Sequence, residues 1–408
     1  MKHINRRNFL TVTCSVPFIF TVCKRTPKIK MFETPTIDAF DPWLEINLTD
    51  MRWNLAQVRQ RVENRPIMAV LKANAYGHGL VNVAQFLEKQ NIRHIAVGKV
   101  NEGVDLRVNA IKSTILNFGP FSRQEAETIV RYNISQSVYS ETVDFLAEAA
   151  RRLKKQARVH IKIDTGLGRV GIPYYQALPF IEKVAAMPDI TIEGVFTTLT
   201  EEKDFDNVQL ERFLQVCDEA AKKGIPIGIR HAASSAAVAN FPPSFLDMVR
   251  PGDALYGLEP LPNLVLKQVM TLKTKVIYVK NLRPGDSVSY HRAFTADKET
   301  AVATLPMGYS DGYPPQVIGK GEVMIQGHRL PLIAAVTANH TTVNVTNAEG
   351  IKIGDEVVLF GSFENKSASG GQDKNTITLE EVAAWANSSV YKIAIGMNPL
   401  MRRIYVED

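Results

Sequence analysis

The chain has 408 residues, of which 45% are hydrophobic and 22% are charged. This composition is that of a globular protein and excludes collagen-like, coiled-coil and disordered chains. The net charge of +6 comes from residues 1–30, which hold seven Lys or Arg and no acid, so that the remaining 41 basic and 42 acidic residues sum to −1. The body of the protein therefore carries no charge excess that would attract nucleic acid.

Residues 1–30 are predicted to be an export segment. Arg6 and Arg7 precede an apolar run from Phe9 to Val22, which suits the core of a signal but is too short for an ordinary membrane-spanning helix. Paired arginines before such a run resemble twin-arginine export signals. We therefore predict a periplasmic or exported protein without a stable membrane span, with a cytoplasmic location as the alternative.

Residues 31–271 alternate short apolar runs with amphipathic stretches. Eight runs, spaced by roughly 20 to 35 residues, are predicted to be parallel strands: Pro66–Leu71, His94–Gly98, Ser113–Phe118, Ile134–Tyr139, Arg158–Ile163, Thr191–Phe196, Ile225–Arg230 and Met248–Tyr256. The pattern between them predicts helices over Gly79–Gln90, Ser140–Gln156, Tyr174–Ala186 and Asn207–Lys223. Eight strand–helix units favour an α/β fold of the (β/α)8 TIM-barrel type, in which functional groups collect at the C-terminal ends of the strands.

Residues 272–408 have a different pattern of apolar and polar residues. Their apolar runs are short and rich in β-branched residues, and Gly, Pro and Asn separate them, as in Lys273–Val279, Ala301–Pro306 and Asp355–Phe360. Helical periodicity nearly disappears until Leu379–Ala386. This pattern predicts a C-terminal all-β domain.

The cysteines and histidines predict no metal site. Cys217 is the only cysteine after the export segment, and the histidines show no ligand spacing.

Lys72 is the clearest candidate for a reactive side chain. It directly follows the apolar run that ends at Leu71, and a turn containing Gly77 and Gly79 comes after it. A partly desolvated lysine at the end of a barrel strand can form a Schiff base with a carbonyl compound. A lysine at the barrel rim that extends into solvent is the alternative. The residues alone leave both interpretations open.

The segment Lys72–Gly79 resembles the pyridoxal-phosphate (PLP) attachment motif of alanine racemases. Further motifs of that family follow in order at residues 162–171, 231–236, 250–257, 289–292 and 308–313. The resemblance extends from Trp43 to Tyr405. It implies a barrel followed by a β-domain, PLP as cofactor and racemisation of an amino acid.

The resemblance implies two bases, Lys72 and Tyr290. Lys72 would hold the cofactor covalently, and Tyr290 would reach the site from a second subunit, which makes the protein a homodimer with shared active sites. Two bases suit the reaction, because racemisation removes a proton from one face of the α-carbon and returns one to the other face.

The remaining site residues are also carried over by resemblance. Arg250 matches the arginine that faces the pyridine nitrogen, and Arg169 matches the residue near the phenolic oxygen. Lys162 matches a position that is carbamylated in some members. Tyr76, Ser235 and Gly252 match phosphate contacts, and the substrate contacts would be Arg169, Tyr309 and Ala338.

Four features depart from the family pattern. Thr198 stands where a histidine usually lies against the cofactor ring, and Ala338 stands where a methionine usually bounds the substrate-carboxylate side. Asp253 places an acid where an aliphatic residue is common beside the phosphate. The C-terminal tyrosine that usually touches the phosphate has no clear counterpart, since residues 396–399 occupy that region.

The sequence therefore leads first to PLP-dependent racemisation of L-alanine to D-alanine. The smaller side chains of the pocket wall favour, as one alternative, a broad-specificity or lysine-type racemase that acts outside the cytoplasm. The four departures favour, as another, a non-catalytic PLP-binding or regulatory protein.

Overall fold

The computed structural model describes residues 39–362 and 376–407, so the predicted export segment lies outside the described residues. Residues from Phe40 onward form one compact unit. This unit begins with strand β1 (Trp43–Asn47) and helix α1 (Leu48–Arg61), whose first turn is capped by the side chain of Asn47. In the part of the chain that the structure describes, no helix has the length and apolar character needed to cross a membrane.

A curled parallel sheet forms the first half of the fold, with strand order β2-β3-β4-β5-β6-β8-β9. These strands are β2 (Met68–Val70), β3 (His94–Val97), β4 (Thr114–Asn117), β5 (Ser135–Val138), β6 (Ala157–Asp164), β8 (Ile190–Phe196) and β9 (Ile229–His231), and the short β7 (Ile172–Pro173) pairs with β6. They match the first seven predicted runs and confirm the barrel class.

The helices of this half cover the outside of the sheet or close the loops at its C-terminal end. They are α2 (Lys72–Tyr76), α3 (Leu80–Lys89), α4 (Val100–Val108), α5 (Arg123–Arg131), α6 (Val143–Leu153), α7 (Tyr174–Ala185), α8 (Lys203–Lys222), α9 (Ser235–Asn240) and α10 (Asp253–Tyr256), with a 3-10 turn at residues 242–244. The four helices predicted from periodicity are confirmed as α3, α6, α7 and α8. Each buries one apolar stripe against the sheet, as Leu146 and Ala150 do in α6.

The predicted eighth strand, Met248–Tyr256, is only partly correct. Met248 bridges to His231 and Val249 bridges to Ile67, which closes the barrel. The extended backbone then stops, because Pro251 has no N–H to continue a ladder and the chain turns at Gly252 into α10.

A mainly antiparallel sheet forms the second half, with strand order β11-β14-β17-β16-β15-β18-β10-β1-β20. Its later strands are β10 (Met270–Lys275), β11 (Tyr278–Leu282), β14 (Thr300–Leu305), β15 (Glu322–Ile325), β16 (His328–Ile333), β17 (Thr341–Asn344), β18 (Glu356–Ser362), β19 (Thr376–Ile377) and β20 (Arg402–Val406), and β12 (Ser287–Val288) pairs separately with β13 (Phe294–Thr295). Short 3-10 turns lie at residues 290–292, 309–311 and 315–317. Two helices also lie in this half: α11 (Leu379–Trp385) coincides with the helical periodicity at Leu379–Ala386, and α12 (Val390–Gly396) is an addition to the predicted β-domain.

Strand β1 lies in the second sheet and not in the barrel. It precedes the barrel in sequence, yet it pairs antiparallel with β10 and parallel with β20 in the second sheet. Lys273 on β10 is buried, and its amino group lies 2.8 Å from the Glu45 carboxylate and 3.0 Å from that of Glu356. The ion pairs of Lys273 link β1 to β10 and β18, so residues 43–47 belong structurally to the second sheet.

Candidate active site

Lys72 lies at the C-terminal end of β2, where an unusual turn begins. Residues 73–76 all have positive φ, between 51° and 57°, which makes a left-handed turn of four non-glycine residues. Each such residue costs about 1–2 kcal/mol, so contacts from elsewhere must hold the turn. Within the barrel, the Asn74 N–H donates to the Glu102 carboxylate at 3.0 Å, and the Asn74 side-chain oxygen accepts from the N–H of Leu80 at 2.8 Å.

The second sheet also holds this turn. On β20, Arg403 Nε donates to the Gly77 carbonyl at 2.7 Å, and the Tyr405 hydroxyl donates to the His78 carbonyl at 3.0 Å. Gly77 has φ +87°, and a Cβ there would overlap the backbone carbonyl of Ala394 in α12. The position of Lys72 is therefore set by both halves of the fold.

A cavity of about 280 Å³ opens beside Lys72 at the C-terminal end of the barrel strands. Its wall includes all six residues that were predicted to bind the cofactor: Lys72, Tyr76, Arg169, Ser235, Arg250 and Gly252. Lys162, Thr198 and Asp253 also line it. The structure therefore brings residues of four separate sequence motifs, together with Thr198, into one site.

One end of the cavity presents hydroxyl and amide groups. The Ser235 hydroxyl oxygen accepts hydrogen bonds from the backbone N–H groups of Gly252 at 2.9 Å and Ala254 at 3.2 Å. A Cβ on Gly252 would lie 2.6 Å from the Tyr76 hydroxyl oxygen, so only glycine allows this approach. Clustered hydroxyl and backbone N–H donors suit a phosphate group.

Tyr391 lies behind Tyr76 near this end of the cavity, does not line the cavity itself, and was missed in the sequence. Its ring centroid lies 6.3 Å from that of Tyr76, and its hydroxyl donates to the Glu259 carboxylate at 2.7 Å. A tyrosine near the C-terminal end of the chain therefore does lie beside Tyr76, although the sequence showed no clear counterpart of the family's C-terminal tyrosine. It stands on α12, a helix too short to give a clear periodic signal.

Arg250 is buried, and its contacts fix its orientation. Its guanidinium donates to the carbonyl oxygens of Thr197 at 2.8 Å and Ala232 at 3.0 Å, and to His231 Nδ1 at 3.0 Å. Because Arg250 only donates, His231 must carry its proton on Nε2, which lies 2.9 Å from His160 Nδ1. Burial lowers the pKa of Arg250 to about 9, so it stays cationic at neutral pH, while burial keeps both imidazoles neutral by lowering their pKa values.

Two lysines in the cavity are less basic than usual. Burial, followed by the charge of Arg169, lowers the pKa of Lys72. Burial, followed by the charges of Arg250 and Arg169, lowers the pKa of Lys162 to about 8. Lys162 Nζ donates to the Thr198 hydroxyl at 3.1 Å. Lowered pKa values increase the neutral amine fraction, which is the nucleophilic form.

Three predicted site residues lie elsewhere. Although the structure describes Tyr290, Tyr309 and Ala338, none of them lines the Lys72 cavity of the same chain. Tyr290 is 79% exposed and Tyr309 is 56% exposed. Tyr309 and Ala338 are neighbours, since the Tyr309 N–H donates to the Thr337 carbonyl at 3.0 Å. These residues stand on the surface of the second domain.

The cavity fits PLP on its own residues. Lys72 offers a partly neutral amine for the aldehyde, Arg250 offers a fixed cation for the ring, and the end formed by Ser235, Gly252 and Tyr76 offers donors for the phosphate. A barrel with this cavity at the C-terminal ends of its strands defines a PLP-dependent barrel enzyme.

Comparison with known proteins defines the family. The chain belongs to the alanine racemase family, because residues 46–260 match the alanine racemase N-terminal domain and residues 269–405 match the C-terminal domain. The alanine racemase of Clostridium tetani is 35% identical over 378 residues, covering 90% of this chain and 95% of that protein. That of Carboxydothermus hydrogenoformans is 36% identical over 374 residues, covering 89% and 99%.

Solved structures agree with this assignment. An alanine racemase of Clostridium difficile superposes with a TM-score of 0.84 at 32% identity, covering 91% of this chain and 97% of that one. The alanine racemase of Bacillus anthracis, solved with bound L-Ala-P, gives a TM-score of 0.81 at 27% identity, with coverages of 91% and 96%. The chain is therefore a PLP-dependent racemase.

Proposed function

We propose that this enzyme interconverts L- and D-alanine, with Lys72 and Tyr290 as the two bases. The observation that carries the proposal is the cavity in which Lys72, its pKa lowered by burial and then by Arg169, lies with the buried cation Arg250. PLP, when bound, withdraws electrons from the α-carbon of the amino acid and so makes its α-proton acidic.

Lys72 moves a proton on one face of the substrate. Its Nζ lies 5.6 Å from the centre of the Tyr76 ring, so its amine is directed along the wall of the cavity. Because its pKa is lowered, the amine both accepts and returns a proton more readily near neutral pH than an exposed lysine does.

Arg250 orients the ring and withholds a proton from it. Three acceptors fix the guanidinium, and a guanidinium cannot act as an acid at neutral pH. A ring nitrogen placed opposite Arg250 would therefore receive a hydrogen bond without being protonated. This limits electron withdrawal and disfavours side reactions such as transamination.

Tyr290 supports the proposal of a homodimer with shared sites. It is strongly exposed and lies in a turn where Ser289, His291 and Arg292 have positive φ. Backbone strain of this kind clusters at functional sites. In a symmetric pair, the surface of one second domain would bring Tyr290, Tyr309 and Ala338 to the Lys72 cavity of the other subunit.

Two further proposals concern modification and location. The lowered pKa of Lys162, together with the cations Arg250 and Arg169 beside it, supports carbamylation of its amine, which NMR of protein equilibrated with ¹³C-bicarbonate would detect.

The Arg6-Arg7 signal supports export. Fractionation of cells that produce the natural chain or an Arg6→Lys, Arg7→Lys variant would test that location.

The activity is tested by following the loss of optical rotation with single L-amino acids in the presence of PLP. The panel contains alanine, serine, lysine, arginine and methionine, and Lys72→Ala is the inactive control. We expect racemisation of alanine. Turnover of lysine, arginine or methionine instead would support the broad-specificity alternative, and bound cofactor without any turnover would support the non-catalytic alternative.

A further inference from the structure

Asp253 is the first residue of α10, directly after Gly252, and its side chain lines the cavity. Its carboxyl group interacts with the hydroxyl of Ser235, whereas the nearby Tyr391 hydroxyl donates its proton to the Glu259 carboxylate at 2.7 Å. The Ser235 hydroxyl lies at the end of the cavity that offers donors to a phosphate. An acidic side chain of the protein itself therefore uses a hydrogen-bond donor that an anionic ligand needs.

The charges around Asp253 favour a neutral carboxyl group. Burial raises its pKa, the hydrogen bond from Ser235 opposes this, and the charge of Glu259 adds to the rise. Glu201 is a second nearby acid, and Lys72 is the cation that interacts with Asp253. The phenols of Tyr76 and Tyr391 also face it and stay neutral, because burial raises their pKa values.

We propose that the Asp253 carboxylate competes with the cofactor's phosphate for the donors at this end of the cavity, so that the cofactor binds best when Asp253 is protonated. The inference rests on the cofactor site proposed above. A phosphate carries about −1.5 to −2 charges at neutral pH, and a carboxylate beside it would repel it. Cofactor binding is therefore coupled to the uptake of one proton by Asp253.

This coupling has a definite sign. Protonated Asp253 leaves the Ser235 hydroxyl to the phosphate and removes the negative charge beside it, and the bound phosphate in turn favours the protonated carboxyl group. The affinity for PLP should therefore fall as the pH rises through the pKa of Asp253 in the empty site. An asparagine at position 253 has nothing to titrate and should remove this fall.

The test is a titration of the apoprotein with PLP from about pH 5 to about pH 9, followed by absorbance and by equilibrium dialysis. Wild type is compared with Asp253→Asn, and each protein is also titrated with pyridoxal, which keeps the aldehyde but has no phosphate. Glu201→Gln is the matched control, because it removes a nearby negative charge without freeing a phosphate donor.

We expect Asp253→Asn to bind PLP about tenfold more tightly than wild type at pH 8, with the difference shrinking towards pH 5. Pyridoxal should bind both proteins equally, and Glu201→Gln should keep the wild-type pH dependence. Asp253→Ala is expected to behave like Asp253→Asn and replaces it if the asparagine variant does not fold.

Three results would overturn the proposal. Equal or weaker binding of PLP by the variants at pH 8 would show that the carboxyl does not compete with the phosphate. An equal gain with pyridoxal would show that the substitution acts on Lys72 and not at the phosphate end. Failure of the wild type to bind either aldehyde would refute the cofactor site itself, whereas normal binding without an effect of Asp253 would refute only this inference.

Discussion

Thr198 stands where the family usually has a histidine, and it contacts a neighbouring lysine side chain instead. Threonine cannot stack on a ring as histidine does, yet its hydroxyl accepts a hydrogen bond from Lys162 Nζ. Lys162 Nζ also lies 5.4 Å from the centre of the Phe196 ring, which stacks on His231. The residue at position 198 therefore orients an amine at the cavity wall in place of contacting the ring directly.

Removing the hydroxyl of Thr198 should make Lys162 less basic. Thr198→Val keeps the shape but takes away an acceptor that stabilises the ammonium form, so the pKa of Lys162 should fall below its value of about 8. In buffer freed of carbon dioxide, where the amine is not carbamylated, acylating reagents react with its neutral form, so the labelling rate of Lys162 should rise with pH through that pKa, as followed by peptide mass spectrometry. Thr198→Ser is the control and should match wild type. A midpoint near that of an exposed lysine, about 10.4, would contradict this account.

At the scale of elements, the left-handed turn after β2 depends on partners that are distant in sequence. Helix α12 and strand β20 contact Gly77 and His78 from more than 300 residues away. The turn holds Lys72 at the cavity only as long as these contacts persist. The stability of the second sheet and the geometry of the cofactor site are therefore linked.

Gly77→Ala should cost much more stability than Gly224→Ala. Both glycines have positive φ, at +87° and +70°, but a Cβ at Gly77 overlaps the carbonyl of Ala394, whereas a Cβ at Gly224 meets nothing within 4 Å. We expect Gly224→Ala to lower the free energy of unfolding by about 1 kcal/mol and Gly77→Ala by about 3 kcal/mol or more, measured in urea. Equal losses would mean that the contact with α12 does not constrain the turn.

Local sequence patterns predict some of these elements and not others. Barrel strands such as β2 and β3 are short apolar runs and could be predicted, because burial on both faces leaves that signal. The turn at residues 73–76 could not, since alanine favours right-handed helices and only tertiary contacts impose the opposite hand. The cofactor residues were found because they sit in long motifs, whereas Tyr391 stands outside those motifs and was missed.

At the scale of the whole molecule, the exposed Tyr290 makes the proposed dimer testable. Lys72→Ala and Tyr290→Phe should each be inactive as pure proteins. If each site uses Lys72 of one subunit and Tyr290 of the other, subunits mixed in equal amounts should recover about one quarter of wild-type activity, because half of the dimers then hold one intact site. The rate of D-alanine formation is measured before and after subunit exchange. No recovery after proven exchange would contradict shared sites.

Strand β1 also has a consequence for the order in which the chain becomes structured during synthesis. It leaves the ribosome early, but its partners β10 and β20 lie more than 220 and 350 residues later. At about 5–20 residues per second, β1 waits on the order of 20 to 70 seconds for its last neighbour. Until β10 emerges, its apolar residues Trp43, Leu44 and Ile46 have no neighbouring strand of the sheet. The nascent chain thus exposes an apolar segment that has no paired edge before β10 emerges and one unpaired edge until β20 emerges.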